Sequence, residues 1–282
     1  MELILILPIT AAVLQNCLSN SVSKRELHNR EKINAFRFFS YLVCIIAFSI
    51  IMITQQLSLF TFLLGIIFGL VVVISGIFSL QALATGPMHI TLLITTSSMI
   101  IPTLSGVFFG EKFSPLKLLC VFVLIFFLYL CLEKIGSSKA SVKWFIYCAI
   151  TFVLSGATGV LQKIHQSSVY KTESGGFLFS AFLCSVIISL IFGKKELKPT
   201  LCSKRLLLFS IICGICTFTM HFINLKMSGI IPSQLFFPVV NGVPLVLSMI
   251  LSVTLFKESL SPRQVIGLIG GILALIAICL VP

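Results

Sequence analysis

Aspartate is absent from this 282-residue chain, and all eight acidic positions are glutamates. They are Glu2, Glu26, Glu31, Glu111, Glu133, Glu173, Glu196 and Glu258, each at a terminus, in a loop or at the edge of an apolar run. No carboxylate falls near the middle of a hydrophobic segment. A proton-coupled exporter of lipophilic cations needs a titratable anion inside the membrane, where burying a charge is costly enough that it appears only for function. That class is therefore disfavoured. Paired acids for a membrane hydrolase or glycosyl transferase are missing too, as are H-E-x-x-H, G-x-S-x-G and G-x-x-x-x-G-K. No catalytic residue is assigned, and an enzyme is not expected.

Charge of either sign is scarce. Charged residues make up 10% and hydrophobic residues 58%, with a mean hydropathy of +1.15; soluble domains carry about 25% charged residues. A water-soluble fold of this size has no interior large enough for so much apolar surface, so the bilayer is the solvent. No Lys or Arg precedes Lys24, which leaves no basic n-region for a signal peptide, and Leu3 to Ser19 reads as a retained helix. The net charge of +12 comes from basic residues in short loops between apolar runs. That placement fits membrane topology and anionic lipid headgroups, not nucleic acid. Among ten cysteines only Cys213 and Cys216 form a C-x-x-C. Without a second pair or a histidine cluster it supports no zinc site. The cysteines read as small buried hydrophobes, and no metal or cofactor is expected.

Apolar segments long enough to be considered as spans fall at 3–19, 35–54, 59–83, 88–109, 116–132, 144–166, 176–193, 206–226, 230–255 and 264–281. Their spacing repeats. Glu111-x-x-Ser114-Pro115 recurs as Glu258-x-x-Ser261-Pro262, and Val13-Leu14-Gln15 as Val160-Leu161-Gln162, both at an offset of 147. Phe39-Ser40, Cys44 and Ser49 recur as Phe179-Ser180, Cys184 and Ser189 at an offset of 140. Internal symmetry of this kind marks transporter folds. The expected fold is an all-α integral membrane protein with ten transmembrane helices as two five-helix repeats, 1–135 and 143–282, joined by a linker at 136–142. An odd number of spans per half makes the repeats inverted, with a site expected at the midplane between them.

Gly110-Glu111-Lys112-Phe113-Ser114-Pro115 and Lys257-Glu258-Ser259-Leu260-Ser261-Pro262, each opening the last helix of its half, resemble the EamA-like branch of the drug/metabolite transporter superfamily. Gly267, Gly270 and Gly271 fit the family's last helix, although the first half lacks those glycines between Val121 and Leu132. The resemblance implies a multi-pass carrier of the bacterial inner membrane, often an exporter of amino acids or other metabolites, and says little about cargo. The motif also has a plain physical reading: Ser suits the N-cap and Pro the first helical turn. The Glu, ahead of the helix, is free to meet a basic headgroup or another helix end. That loop-and-cap reading is preferred to a transport role.

Neutral polar groups are where chemistry can sit. The fourth segment carries His89, Thr91, Thr95, Thr96, Ser97 and Ser98 with Pro87 and Pro102; the ninth carries Gln234, Asn241 and Ser248 with Pro232, Pro238 and Pro244. Prolines in matching helices free backbone carbonyls, which a bilayer tolerates where they line a cavity or are re-satisfied by neighbours. Such breaks point to a transporter site or to a packing kink, and the sequence leaves both open. In the eighth segment Thr217, His221 and Asn224 stand together, the last two sharing a face. His221 is the one titratable side chain read as lying deep in the membrane; it binds substrate, carries a proton near neutral pH, or bonds a neighbouring helix. The candidate substrate-binding set is thus His221, Asn224, Asn241, Thr95, Ser98 and Thr217. Gln15 and Gln162, near helix ends, are read as gate or interhelical contacts. Lys163 and His165, in the outermost turn, are expected to snorkel.

The function these features support is a secondary transporter, an exporter, of a small polar or zwitterionic, amino-acid-like metabolite. The alternative is a non-transporting membrane scaffold or accessory subunit. Expected partners are the small-molecule substrate and the lipid bilayer, with no nucleic acid. The chain is expected to be a monomer or a homodimer, its polar-poor fifth and tenth helices peripheral or at a dimer seam. Odd-numbered loops and their flanks hold 15 of the 20 basic residues, which places those loops in the cytoplasm and both termini outside. In a thiol-free background, a membrane-impermeant reagent applied outside should therefore label Glu173→Cys and spare Glu196→Cys. The reverse pattern would invert the topology.

Overall fold

The structure, a computed structural model, describes residues 2–27, 29–86, 91, 94–112, 114–130, 142–256 and 261–280. Every regular element among them is helical. In chain order they are α1 (Ile6–Arg25), α2 (Arg30–Met52), α3 (Leu59–Thr85), α4 (Ile94–Phe109), α5 (Pro115–Leu130), α6 (Val142–Ser167), α7 (Ser174–Gly193), α8 (Lys204–Ser228), α9 (Ser233–Phe256) and α10 (Pro262–Leu280). A 3-10 turn, Lys194–Glu196, and a short helix, Leu197–Cys202, extend α7.

Six of these elements are long and apolar enough to cross a membrane unaided: α2, α3, α6, α7 with its extension, α8 and α10. Ile94–Phe109, Pro115–Phe127 and Ser233–Ser248 are apolar but shorter, and α1 belongs to neither group. The second half of α1 carries Gln15, Asn16, Ser19 and Asn20, which dilutes its hydropathy. The protein is thus a multi-pass helical membrane protein. Pro87, His89, Glu133, most of the 136–142 linker and Lys257 to Leu260, including Glu258, lie outside the described residues.

The fourth segment is irregular, whereas the ninth runs as one continuous α-helix through its prolines. From its α-helical start, α4 passes through a 3-10 turn at Ser97–Met99, a short α stretch at Ile100–Ser105 and a second 3-10 turn at Gly106–Phe109. α9 holds Pro238 and Pro244 within its helix. Gly110 ends α4 at φ +73°, a left-handed conformation that side-chain-bearing residues avoid. Ser114 then accepts the Lys117 N–H at 3.4 Å and Pro115 opens α5, as N-cap and first-turn chemistry require. At the second copy of the motif, Ser261 Oγ accepts the Gln264 N–H at 3.4 Å and Gln264 Oε1 accepts the Ser261 N–H at 2.9 Å, a reciprocal capping box.

Packing joins the two halves of the chain rather than separating them. α2 packs on α7 and α8, α3 on α6 and α7, and α1 on α8 and α9; α4 packs on α6 and α9, and α5 on α10. Glycines permit close seams between the halves, two of them against a facing carbonyl of the other half's second helix. A Cβ at Gly69 of α3 would strike the Ala181 carbonyl of α7, and one at Gly214 of α8 would strike the Ser40 carbonyl of α2. The approach lets Ser185 Oγ donate to the Gly69 carbonyl (3.3 Å), and the Cys44 thiol to that of Gly214 (3.3 Å). Small residues and interhelical hydrogen bonds are what hold helices together where lipid competes equally for apolar surface. Phe48, Phe68, Phe177 and Phe182, all fully buried, fill the space beside the α2–α7 and α3–α7 seams.

Outside the spans, Glu173 precedes α7 and reaches back to the start of α3. Its Oε2 accepts the Ser58 N–H at 2.9 Å and the Ser58 hydroxyl at 2.7 Å, while Ser58 itself caps Thr61. Burial raises the Glu173 pKa, but hydrogen bonds from Thr61 and Ser58 outweigh it and hold the carboxyl below its ordinary value of 4.5. A depressed folded-state pKa means stability that is present above the unfolded value and lost as pH falls through the folded one. The thermal stability that wild type holds over Glu173→Gln should therefore be full at neutral pH and vanish below the ordinary carboxylate range. A gap between the two that does not change with pH would refute the tie. Because Glu173 is buried, Val169, 86% exposed in the same loop, is the better site for topology labelling.

Candidate functional site

Polar faces of seven helices meet in one cavity of about 290 Å³, at the lower edge of the ~300–1,000 Å³ typical of small-molecule sites. α1 contributes Gln15, Asn16 and Ser19; α3 contributes Ser75 and Ser79; α4 contributes Thr95, Thr96 and Ser98. Thr151, Ser155, Thr158 and Gln162 come from α6, Thr217, His221 and Asn224 from α8, and Asn241 from α9. Apolar walls are supplied by Val72, Leu80, Phe236, Phe237 and Val240 among others. The whole candidate set read from sequence is gathered here: His221, Asn224, Asn241, Thr95, Ser98 and Thr217, together with Gln15 and Gln162. Among the described residues none that lines it belongs to α5, α7 or α10.

Their bonds show which groups are already engaged. Gln15 Nε2 donates to Thr217 Oγ1 at 3.2 Å, an interhelical contact between α1 and α8. Gln162 Nε2 stands 3.5 Å from His221 Nδ1, linking α6 to α8 at the limit of a hydrogen bond. The His221 ring meets Phe68 and Phe182 edge-on at 5.5 and 5.6 Å. Asn241 Nδ2 donates to the Phe237 carbonyl at 2.8 Å, and Thr95 donates to the Thr91 carbonyl at 3.0 Å. The Asn224 Oδ1 is buried without a partner among the described residues, which leaves an acceptor for whatever enters. Ser75 and Ser155 face each other at 3.1 Å across α3 and α6.

Two residues of α2 also line the cavity, Arg37 and Tyr41, and hydropathy alone places neither there. By position Arg37 counts as a loop cation. In the structure it lies inside α2, with its guanidinium hydrogen-bonded to the Tyr41 hydroxyl and its Cζ 5.6 Å from the Tyr41 ring centroid. A sequence signal exists: Arg37 sits among Phe36, Phe38 and Phe39, inside the apolar run rather than ahead of it.

The expectation that Lys163 and His165 snorkel is overturned. Lys163 is buried, forms an ion pair with Glu111, and donates to the Ser228 carbonyl at the end of α8 (2.8 Å). Glu111 in turn accepts the Ser233 N–H at 2.7 Å and the Ser233 hydroxyl at 3.0 Å, capping α9. The motif glutamate meets another helix end, as the loop-and-cap reading anticipates, but in the first copy it also carries a buried ammonium. The network ties the α4–α5 loop, α6 and the α8–α9 turn together beside Gln162. His165 is fully buried and stacks on Phe177 at 4.5 Å. Hydropathy ranks both residues as interfacial because it cannot see the loops that fold over the end of α6. With Arg37 and Lys163 removed from the loop count, the basic bias is 14 to 4, so the orientation argument survives.

Fold and cavity together define the class: a multi-pass helical membrane protein whose two halves enclose a polar chamber. Residues 142–280 match the EamA-like transporter family, a branch of the drug/metabolite transporter superfamily, and the chain belongs to it through this second half. Members of that family are transporters, which suggests a transporter of the drug/metabolite type. No curated protein matches the chain. One solved crystal structure of a protein, 17% identical, superposes with a TM-score of 0.70 over 98% of each chain; at that identity the likeness is one of fold.

Removing one partner of a buried ion pair costs on the order of 3–5 kcal/mol. Lys163→Met should accordingly lower the thermal stability of the purified protein sharply. The double variant Glu111→Gln with Lys163→Met should recover part of the loss, since the amide still accepts from Ser233. Equal stability of the single variant and wild type would show that the pair contributes nothing.

Proposed function

We propose that the chain is a secondary carrier of ten spans, two inverted five-helix repeats, that exports a small polar or zwitterionic metabolite across the bacterial inner membrane. The observation that carries this reading is the polar cavity lined from both halves of the chain. Supporting it, the main helix pairings between the halves are unchanged when the halves are exchanged. Substituting α1 for α6, α2 for α7, α3 for α8, α4 for α9 and α5 for α10 turns α3–α6 into α1–α8, α3–α7 into α2–α8, and α4–α6 into α1–α9. It leaves α2–α7, α4–α9 and α5–α10 as they are. Gly69 and Gly214 occupy matching places in this scheme, each against the carbonyl of the other half's second helix. Alternating access needs such a pair of interchangeable bundles around one site. Neutral hydrogen-bonding groups in the wall replace a solute's water, and the cavity volume suits a cargo of metabolite size.

Proteoliposomes loaded with an extract of uniformly ¹³C-labelled bacterial cells test the reading whatever the cargo is. Mass spectrometry of the outside medium should reveal a small set of polar metabolites released only when the protein is present. A folded protein that releases none, with either sign of pH gradient, would reject the carrier and favour a scaffold or accessory role. His221 separates coupling from binding in the same assay. If it carries the coupled proton, His221→Gln should keep release but lose its dependence on the pH gradient. If it only contacts cargo, affinity should fall while that dependence persists. Wild-type behaviour of His221→Ala would reject both roles.

A further inference from the structure

We propose, building on the carrier reading, that this cavity recognises its cargo by a carboxylate and that Arg37 is the carboxylate's counter-ion. Arg37 is the only Lys or Arg side chain that lines the chamber among the described residues, and no Asp or Glu among them lines it. The ion pairs among the described residues join Lys163 to Glu111, Lys195 to Glu31 and Arg205 to Glu26; Arg37 is in none of them. Its Nε is buried and without a partner among the described residues. A cation inside a membrane is costly and is retained where it meets a functional partner.

Three observations separate this from a snorkelling arginine. A snorkelling side chain turns back toward the nearer interface, and helical side chains lean toward the helix N-terminus in any case. Arg37 instead reaches forward to Tyr41, one turn deeper into α2. Space is also kept for the guanidinium on the facing helix, because a Cβ at Gly76 of α3 would collide with it. Finally, the fold does not need a cation here. The offset of 140 that relates α2 to α7 pairs Arg37 with Phe177, which is fully buried.

The charge balance narrows the cargo. A phosphate ester carries about −1.5 to −2 near neutral pH and would call for a second cation that no described residue of the wall supplies. A carboxylate carries a single charge and fits the planar fork of one guanidinium. The buried, unpartnered Asn224 Oδ1 accepts a hydrogen from the same cargo, which favours an amino or hydroxy acid over a simple fatty acid.

The labelled-extract release assay tests this with wild type, Arg37→Gln, Arg37→Lys and Gly76→Ala. Size-exclusion profiles serve as the folding control. The metabolites released by wild type should carry carboxylates. Arg37→Gln should slow their release by about ten- to a hundredfold, the range for losing a hydrogen bond to a charged group. Arg37→Lys should restore part of the rate. Gly76→Ala, which keeps the charge but pushes the guanidinium aside, should fall between. In detergent, lactate and alanine should raise the melting temperature of wild type, whereas lactamide and alaninamide should not. Released metabolites without carboxylates, or wild-type rates in a folded Arg37→Gln, would overturn the inference and leave the carrier intact. Carboxylate binding in detergent with no flux from vesicles would uphold the Arg37 site and sink the carrier. Neither binding nor flux would reject both.

Discussion

A bilayer offers no hydrogen-bonding partner to a polar group, and nearly every feature of this protein follows from that constraint. Backbone groups close their bonds within helices. Helix ends, which leave carbonyls and N–H groups open, are closed by the protein itself. Glu111 caps α9, Lys163 caps α8, and Glu173 with Ser58 caps α3. Polar side chains that the helix geometry does not absorb are turned toward one another and toward a single chamber. Without that chamber, the hydroxyls and amides of α1, α4, α6 and α8 would face lipid tails.

Apolar attraction between helices is weak in lipid, so close contact has to come from shape. Gly69 and Gly214 bring α3 onto α7 and α8 onto α2, and each exposes a carbonyl that a serine or cysteine of the opposite half then meets. These seams knit residues about 115 to 170 positions apart, so neither half is a self-contained body. Both seams thus join the third helix of one half to the second helix of the other.

The scarcity of acid has a functional meaning that is visible only with the charges in place. Glu111, Glu26 and Glu31 each stand beside a basic residue, and Glu173 is held by hydroxyl and backbone donors. Among the described residues the chamber is left with one guanidinium beside neutral hydrogen-bonding groups. A wall of that kind repels cations and stabilises a single negative charge, which is the opposite of the site a lipophilic-cation exporter requires.

Composition alone determined the solvent, and the apolar runs with their polar breaks determined where helices form, because both depend on local sequence and transfer free energy. Thr95, Ser98, Thr217, His221, Asn224 and Asn241 were legible as a set since a polar group in an apolar helix has few places to point other than inward. Ser114 and Pro115 were legible as a cap because capping is a contact within four residues. Arg37, Lys163 and His165 were not, since a charge near the end of a hydrophobic run has the same hydropathy whether it turns to the headgroups or to the interior. Only tertiary structure decides between those two, by what stands opposite: Gly76 and Tyr41 for Arg37, Glu111 and the Ser228 carbonyl for Lys163, and the Phe177 ring for His165.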